Sequence, residues 1–478
     1  MSLATQVRKG VKWTTSSTLI IAVSQLLLLA LAARFYLTPT EVGLFAIIQI
    51  TLGFCQLFMD MGIGNALIQK QNVKARHLSE LFLVNLIIAA VLAVLIYLSA
   101  KNIAYFFEAP NVTPYIQLIA PSFLLAALYR IHLVSLQKEL AFSLIAKVEL
   151  VAQISGFSVA LLSLFYNLGV VALVYGYLTN LAVQGALFWC FSPFRLMFVF
   201  PKVMSELKPY FSFGAYQTVD GTVNYFSSQF DVILVGKMFG TEVLGGYSLA
   251  RQYCFRPAMV INPILTRIAF PLMSKLQNSD KLPSIYCKLS NVLASINFPL
   301  YLTLFVFSEE FILVLFGTQW LHIVPIFRLM ALWCLIRSTM NPVGSLMMAK
   351  GKVKRLLIWN LMLLFLIPTS VYIGGLFSVE GVVIALVALQ FILLILHSYI
   401  LLDIQAEIKP LLFFYSIASP LLISVIAMIL SFLLCFMIAN IYFKLIVFTV
   451  AYTLLYGSFS YFYNPVIKKI RTQGFSLN

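Results

Sequence analysis

Residues 217–231, QTVDGTVNYFSSQFD, place acids and amides inside a long apolar run of the chain. Five polar residues of this segment are spaced three or four positions apart: Gln217, Asp220, Asn224, Ser227 and Asp231. That spacing puts them on one face of a helix. Polar groups at membrane depth avoid lipid and face the protein interior or a water-filled cavity. We therefore expect this face to line a water-filled or ligand-filled space between helices.

The helix that follows is predicted to be cationic and kinked. Arg256 and Arg267 are eleven positions apart, so they share a face to within about 20°. Arg251 lies off that face. Three prolines follow in the same segment, and each removes a backbone donor and favours a kink: Pro257, Pro263 and Pro271. We expect this helix and the polar face to form one wall of a transport cavity.

The composition excludes a soluble domain. The chain has 478 residues, of which 62% are hydrophobic and 10% are charged, whereas a soluble domain carries about 25% charged residues. The apolar runs are about 20 residues long, which is the length that a helix needs to cross a bilayer. These features predict an all-α polytopic membrane protein. Its four His and six Cys residues show no metal-ligand spacing, and the sequence predicts no metal site.

We predict fourteen transmembrane helices joined by short loops. The first follows Arg8, Lys9 and Lys12 and resembles a signal peptide, but its length favours an uncleaved span. The predicted spans are 13–36, 42–67, 79–100, 115–136, 143–166, 169–191, 208–237, 243–272, 285–308, 322–348, 356–377, 380–402, 411–437 and 441–463.

The basic residues predict the orientation of these spans. With the N-terminus in the cytoplasm, 22 of the 32 Lys and Arg residues lie on the cytoplasmic side, four lie outside and six lie within spans. The positive-inside rule accounts for this asymmetry, and for most of the net charge of +16, without a nucleic-acid partner. We therefore expect a multi-pass membrane protein with both termini in the cytoplasm.

An internal repeat predicts two lobes. The segment 33–45, ARFYLTPTEVGLF, resembles 236–247, GKMFGTEVLGGY, about 202 residues later. Each has a basic residue, a turn with Thr-Glu-Val, then a glycine and an aromatic residue. Six helices separate the copies, so both have the same orientation in the membrane. We predict an N-terminal six-helix lobe at 1–200, a C-terminal six-helix lobe at 201–403, and an additional helix pair with a cytoplasmic tail at 404–478.

The candidate site residues are polar groups within the spans. The sequence has no catalytic or nucleotide-binding motif, so we expect a transporter and not an enzyme. Arginine suits bidentate binding of phosphate oxygens, and an acid at depth can carry a coupling proton. The predicted substrate-binding residues are Arg256, Arg337, Arg251, Asn224 and Gln217, and the predicted coupling-ion residues are Asp220 and Asp60. An ion pair between Arg256 and Asp220 is the structural alternative.

Several stretches together resemble one known family. They are 33–39 with 43–45, DMGIGNALI at 60–68, 231–236, FPLMSKLQ at 270–277, Phe316-Gly317 with Trp320 and Pro325, and AKGK at 349–352. The chain resembles the polysaccharide-transport branch, of the Wzx-like colanic-acid or O-antigen kind, in the superfamily of multidrug and polysaccharide flippases. The turn at Phe239-Gly240-Thr241 departs from the pattern of the first copy, which has Pro39.

The resemblance implies a MATE-like flippase fold and a substrate. The substrate would be an undecaprenyl-pyrophosphate-linked oligosaccharide repeat unit, moved from the cytoplasmic to the periplasmic leaflet of the bacterial inner membrane by alternating access. The product would serve exopolysaccharide or O-antigen synthesis. Membrane lipid, a polysaccharide polymerase and export machinery are the implied partners, and no cofactor is implied.

Two other functions compete with this interpretation. A multidrug antiporter that exchanges Na⁺ or H⁺ for organic cations shares the fold, but six Arg against four acids within the spans disfavour a cationic substrate. A membrane enzyme such as a polysaccharide polymerase or ligase needs a sizeable external loop, and the predicted loops at 101–114 and 309–321 are short.

Overall fold

The computed structural model describes residues 3–60, 67, 75–197, 204–438 and 440–468, and the regular secondary structure of these residues is entirely helical. It forms two compact units, Met1–Ser248 and Leu249–Asn478. The predicted lobes at 1–200 and 201–403, with the additional pair at 404–478, are defined by the repeat and remain a prediction.

The first unit consists of long helices joined by short turns. They are α1 (Leu3–Phe35), α2 (Pro39–Asp60), α3 (Ala75–Phe106), a 3-10 turn (Pro110–Val112), α4 (Thr113–Ile119), α5 (Ser122–Lys138), α6 (Phe142–Phe165), α7 (Val170–Phe191) and the beginning of α8 (Met204–Lys275). Helix α6 packs against both α1 and α7, and α5 packs against both α3 and α7.

The second unit contains the end of α8 and the remaining helices. They are α9 (Leu282–Val306), α10 (Ser308–Leu315), a 3-10 helix (Thr318–Ile323), α11 (Val324–Ser338), α12 (Val343–Ala349), α13 (Val353–Gly375), α14 (Val379–Leu396), a π-helical turn (His397–Ile404), α15 (Pro410–Cys435) and α16 (Ile441–Tyr463). Helix α9 packs against α11 and α15, α11 packs against α14, α13 packs against α14, and α15 packs against α16.

Twelve of the predicted spans coincide with helices that are long and apolar enough to cross a membrane, among the residues that the structure describes. The two other predicted spans, 208–237 and 243–272, lie on α8. Helix α8 has 72 residues and is interrupted at Gly240, whose φ of 80° and ψ of −179° are not helical. Gly240 lies between the two predicted spans, at the turn of the second repeat. Glycine can adopt this positive φ because it has no Cβ.

The helices expose their apolar side chains and bury many polar ones. Phe165 and Phe365 are among the large apolar residues on the surface, with 70% and 71% of their area exposed. Asn291 and Asn297 are fully buried and bond to other helices or to their own backbone. This distribution fits a lipid surround, in which apolar side chains face outward and polar groups find partners inside.

The two copies of the repeat meet inside the first unit, and their contact is reciprocal. A Cβ added to Gly43 would overlap the carbonyl oxygen of Thr241, and a Cβ added to Gly245 would overlap the carbonyl oxygen of Pro39. Gly43 and Gly245 are 202 positions apart, as are Pro39 and Thr241. Each glycine therefore lets its helix approach the turn of the other copy, as small residues do at crossings of membrane helices.

Loops that were predicted to lie on one side of the membrane meet each other within each unit. In the first unit, Lys237 bonds to Glu108 at 2.8 Å, and this hydrogen bond lowers the pKa of the Glu108 carboxyl. In the second unit, Lys444 bonds to Glu310 at 3.0 Å. All four residues belong to loops or helix ends predicted to be external. On the side predicted to be cytoplasmic, Lys352 donates to the carbonyl oxygen of Gln405 at 2.6 Å.

Candidate functional site

Two arginines of the second unit share one aromatic ring. The guanidinium carbon of Arg251 lies 4.9 Å from the ring centroid of Phe255, and that of Arg337 lies 5.3 Å from the same centroid. Arg337 also lies 5.6 Å from the ring of Trp333. A cation over an aromatic face is attracted by the ring quadrupole. We call Arg251, Phe255, Trp333 and Arg337 the arginine cluster.

Two of these contacts follow from helical spacing, and the third does not. Arg251 and Phe255 are four positions apart on α8, and Trp333 and Arg337 are four positions apart on α11, so each pair lies on one helix face. The contact between Arg337 and Phe255 joins the two helices across 82 positions of sequence.

Hydrogen bonds hold both helices of the cluster in place. On α8, Cys254 accepts a bond from the hydroxyl of Tyr301 at its carbonyl oxygen, at 3.0 Å. On α11, the indole nitrogen of Trp333 donates to the side chain of Gln390 at 3.2 Å. Trp333 is 4% exposed and Tyr301 is fully buried. Buried hydrogen-bond partners therefore hold Trp333 and the backbone beside Phe255 in place.

Arg337 lies where the tenth predicted span is broken. The sequence predicted one helix over 322–348, but α11 ends at Ser338 and α12 begins at Val343. The residues between them include Asn341-Pro342, and a residue before proline is disfavoured in the α region. A cation in the last turn of a helix is stabilised by the helix dipole. Such breaks at membrane depth often mark substrate sites in transporters.

Arg337 is the most accessible residue of the cluster. Arg337 is exposed, Arg251 and Phe255 are half-buried, and Trp333 is buried. An anion near this ring would be attracted by both guanidiniums. The planar fork of arginine fits the oxygens of a phosphate in a bidentate manner. The cluster is therefore suited to binding a phosphate or pyrophosphate group.

Arg256, the other predicted binding arginine of α8, is not part of this cluster. It is half-buried, and it forms no ion pair with any residue that the structure describes. The predicted alternative, an ion pair with Asp220, involves a side chain outside the described set. Arg256 is adjacent to Phe255 in sequence, so its side chain leaves α8 about 100° away from the ring that Arg251 and Arg337 share.

The predicted polar face of α8 is described only in part. The side chains of Gln217 and Asp220 on this helix, and that of Asp60 on α2, lie outside the described set. Asn224 is exposed, and its place beside a solvent-filled space remains a prediction. Asp231 differs from the prediction. It is 3% exposed and accepts a 2.9 Å hydrogen bond from the hydroxyl of Tyr247, so its carboxylate faces protein.

An aromatic group lies beside Asn224 in the sequence of α8. The hydroxyl of Tyr225 donates to the carbonyl oxygen of Ile50 at 2.5 Å, and the rings of Tyr225 and Phe226 lie 6.3 and 5.5 Å from that of Phe54. Gly53 makes room for Tyr225, since a Cβ there would lie 2.8 Å from the phenol oxygen. This contact fixes α8 against α2 in the first unit.

No group of three or more His, Cys, Asp or Glu residues that could hold a metal ion occurs among the described residues.

Known proteins match most of the chain. A family model described as "Polysaccharide biosynthesis protein" matches residues 31–325. The teichuronic acid biosynthesis protein TuaB of Bacillus subtilis (strain 168) is 32% identical over 440 residues, which are 90% of this chain and 89% of that protein. The lipopolysaccharide biosynthesis protein WzxC of Escherichia coli (strain K12) is 31% identical over 417 residues, which are 86% of this chain and 83% of that protein.

Solved structures share the fold. The lipid II flippase MurJ in an inward closed conformation superposes with a TM-score of 0.73 at 14% identity, over 94% of this chain and 98% of that one. An inward-facing multidrug resistance transporter of the MATE family reaches a TM-score of 0.60 at 16% identity, over 88% and 96% of the two chains. At such identities the likeness concerns the fold alone, and it confirms the prediction of a MATE-like all-α membrane fold.

Proposed function

Because the chain belongs to the polysaccharide biosynthesis family of membrane transporters, we propose that it flips a polyprenyl-pyrophosphate-linked oligosaccharide from the cytoplasmic to the periplasmic leaflet. The predicted resemblance to Wzx-like proteins is thereby confirmed. To this family membership the proposal adds a substrate and a direction of transport. The transported repeat unit would serve the synthesis of a surface polysaccharide, such as exopolysaccharide or O-antigen.

One observation carries the proposal, namely the meeting of Arg251 and Arg337 at the ring of Phe255. A pyrophosphate with a sugar head cannot cross hydrocarbon unaided, because burying its charges without partners is too costly. The arginine cluster offers two guanidiniums to this group. The prenyl chain needs no such partner and can remain in the lipid while the head group crosses. We keep Arg256, Asn224 and Gln217 as further candidate contacts of the head group.

The proposed transport path requires α8 to cross the membrane twice. Each part of α8 on either side of Gly240 has about 35 residues and is long enough to span, at about 1.5 Å per residue. With the twelve candidate spans this gives fourteen. An even number puts both termini on the same side of the membrane, which the distribution of basic residues predicts to be the cytoplasm. Alternating access would then follow from rocking of two repeat-related lobes.

We assign the coupling of transport to a proton or cation to acidic residues of α2 and α8. Asp220 and Asp60 are the proposed carriers of a proton or cation, because both are acids in predicted spans. Protonation of an acid at membrane depth changes its preference for water, and so it can favour one state of a transport cycle over another.

A multidrug antiporter remains the second candidate, since a MATE transporter shares the fold. The arginine cluster argues against it. An organic cation that approached Arg251 and Arg337 would meet like charge in a low-dielectric region. A membrane polymerase or ligase is a weaker candidate, because the family and the fold are those of transporters.

Depletion of the protein in its native host tests the proposed function. We expect surface polysaccharide to disappear and the undecaprenyl-pyrophosphate-linked oligosaccharide to accumulate. In spheroplasts the accumulated sugar should resist periodate that is added outside, because it stays in the cytoplasmic leaflet. Unchanged polysaccharide together with increased sensitivity to cationic dyes would instead establish the antiporter.

Cysteine labelling tests the orientation. Glu309→Cys at the start of α10 should react with an impermeant maleimide in intact cells, and Asn278→Cys between α8 and α9 should react only after permeabilisation. Both residues are exposed, and the first avoids Glu310, which is paired with Lys444. The unsubstituted protein measures background labelling of the exposed Cys190. The reverse pattern would exclude the proposed topology.

A further inference from the structure

The first unit contains a group of neutral polar side chains that the arginine cluster does not involve. We call it the amide cluster, and its members are Gln56 on α2, Gln153 on α6, and Tyr177, Asn180 and Gln184 on α7. The amide of Gln56 donates to the hydroxyl of Tyr177 at 3.0 Å, that of Asn180 donates to the side chain of Gln153 at 3.3 Å, and that of Gln184 donates to Asn180 at 2.8 Å.

Three members follow one face of a single helix. Tyr177, Asn180 and Gln184 are separated by three and four positions, so they align along α7 over about 10 Å. The bond between Gln184 and Asn180 stays within α7 and joins no other helix. It orients the two amides along the helix axis.

A close helix crossing fixes the position of this face. A Cβ added to Gly156 on α6 would lie 2.5 Å from the carbonyl oxygen of Gly176 on α7 and 3.0 Å from the Cβ of Asn180. The backbones of α6 and α7 therefore touch beside Asn180. Side chains on such a crossing have little freedom, which favours selective binding because less order is lost when a ligand binds.

The neighbouring face of α2 is polar and open. Gln49 and Gln56 are both exposed, and their separation of seven positions puts them within about 20° of each other on α2. The remainder of α2 is apolar enough to be a candidate span. An exposed amide on a membrane-spanning helix loses its hydrogen bonds if it faces lipid. Water or a polar ligand would satisfy the donor and acceptor groups of Gln56 that its bond to Tyr177 leaves over.

The chemistry of the cluster matches a sugar better than a phosphate. Its five members are neutral and offer amide N–H donors, amide oxygens and a phenol hydroxyl. Such groups can both donate to and accept from the hydroxyls of a sugar. A phosphate would favour the cationic arginine cluster.

We propose that the amide cluster binds the carbohydrate part of the transported lipid, with Tyr177, Asn180 and Gln184 bonding to sugar hydroxyls. This assignment rests on the proposed flippase function and adds a location for sugar recognition to it. The alternative role of the same residues is to join helices, as amides often do in membrane proteins. If the residues only joined helices, substituting them would change the binding of a lipid with sugar and of a lipid without sugar to the same extent.

Binding to two lipids separates these roles. The full-length protein is reconstituted in nanodiscs and titrated with undecaprenyl pyrophosphate, and with the undecaprenyl-pyrophosphate-linked repeat unit extracted from a polymerase-deficient host. We expect Tyr177→Phe and Gln184→Leu each to weaken binding of the sugar-bearing lipid by about 3- to 10-fold, as for loss of one or two hydrogen bonds. Binding of the sugar-free lipid should not change, and it also verifies that each variant is folded.

Matched substitutions at distant positions serve as controls. Tyr372→Phe removes the same hydroxyl from α13, where the tyrosine is 54% exposed, and Asn102→Leu removes an exposed amide from α3. Neither should affect either lipid. Equal weakening of both lipids by the cluster variants, or no weakening, would overturn sugar binding while leaving the flippase proposal intact. If the unsubstituted protein bound neither lipid, the proposed function itself would fail.

Discussion

Arg337→Gln is expected to abolish surface polysaccharide while the protein remains in the membrane at its normal level. The substitution keeps much of the side chain that packs on Phe255 and Trp333, but it removes the charge that we assign to pyrophosphate binding. Bonds to charged groups contribute about 1.5–3 kcal/mol each. Binding of undecaprenyl pyrophosphate should therefore weaken by about 10- to 100-fold, which titration of the reconstituted protein measures. Arg251→Gln should act in the same direction.

Two further variants identify the reason for that loss. Arg337→Lys keeps the charge and loses the planar fork, so it should restore export only in part. Arg328→Gln changes an arginine of the same helix, whose guanidinium donates to the hydroxyl of Ser308 at 3.1 Å, and it should leave lipid binding unchanged. If Arg337→Gln bound undecaprenyl pyrophosphate with the affinity of the unsubstituted protein, the arginine cluster would not be the phosphate site.

Gly43→Ala is expected to destabilise the protein strongly, although it adds only one methyl group. That methyl group would overlap the carbonyl oxygen of Thr241, and the nearest atoms are backbone atoms that cannot rotate away. Overpacking by side chains costs about 1–3 kcal/mol, and a clash with backbone should exceed that range. Thermal unfolding of the purified protein, followed by tryptophan fluorescence, should show a clearly lower midpoint, and the level of protein in the membrane should fall.

The second copy of the repeat offers an equivalent variant at Gly245, and the distant Gly344 offers a control. Gly245→Ala should have a similar effect, because its methyl group would overlap the carbonyl oxygen of Pro39. Gly344 on α12 has no neighbouring atom within 4 Å of an added Cβ, so Gly344→Ala should be neutral or slightly stabilising. Equal melting temperatures for Gly43→Ala and Gly344→Ala would show that the two repeats can separate at no cost.

The sequence contained enough information to predict the spans. A helix in a bilayer satisfies its own backbone hydrogen bonds, so its position depends on a local run of apolar residues. For this reason twelve predicted spans coincide with helices that are long and apolar enough to cross a membrane, within the part of the chain that the structure describes. The predicted turn between residues 237 and 243 was also confirmed at Gly240, where the second copy of the repeat changes direction.

The candidate site could be predicted only in part. Arg256, Arg337 and Arg251 were predicted together as binding residues, and the structure brings Arg251, but not Arg256, to the ring beside Arg337. The difference arises because Phe255 and Arg337 lie on separate helices. The break between Ser338 and Val343 had a local signal in Asn341-Pro342, which a prediction based on apolar length alone overlooked. The amide cluster could not be predicted from local spacing alone, since Tyr177 and Asn180 bond to side chains on α2 and α6.

The sequence alone determined that the chain is a helical membrane protein with an internal repeat, because hydropathy and repeat spacing are local properties. Only the tertiary structure decided which polar groups meet. Asp231 had the spacing of a cavity-facing residue, but packing directs it toward Tyr247. Gly43 and Gly245 were recognisable as repeated positions, but their close approach to the opposite turn depends on how two distant helices cross. Helical periodicity defines the faces of each helix, and non-local packing decides which faces come into contact.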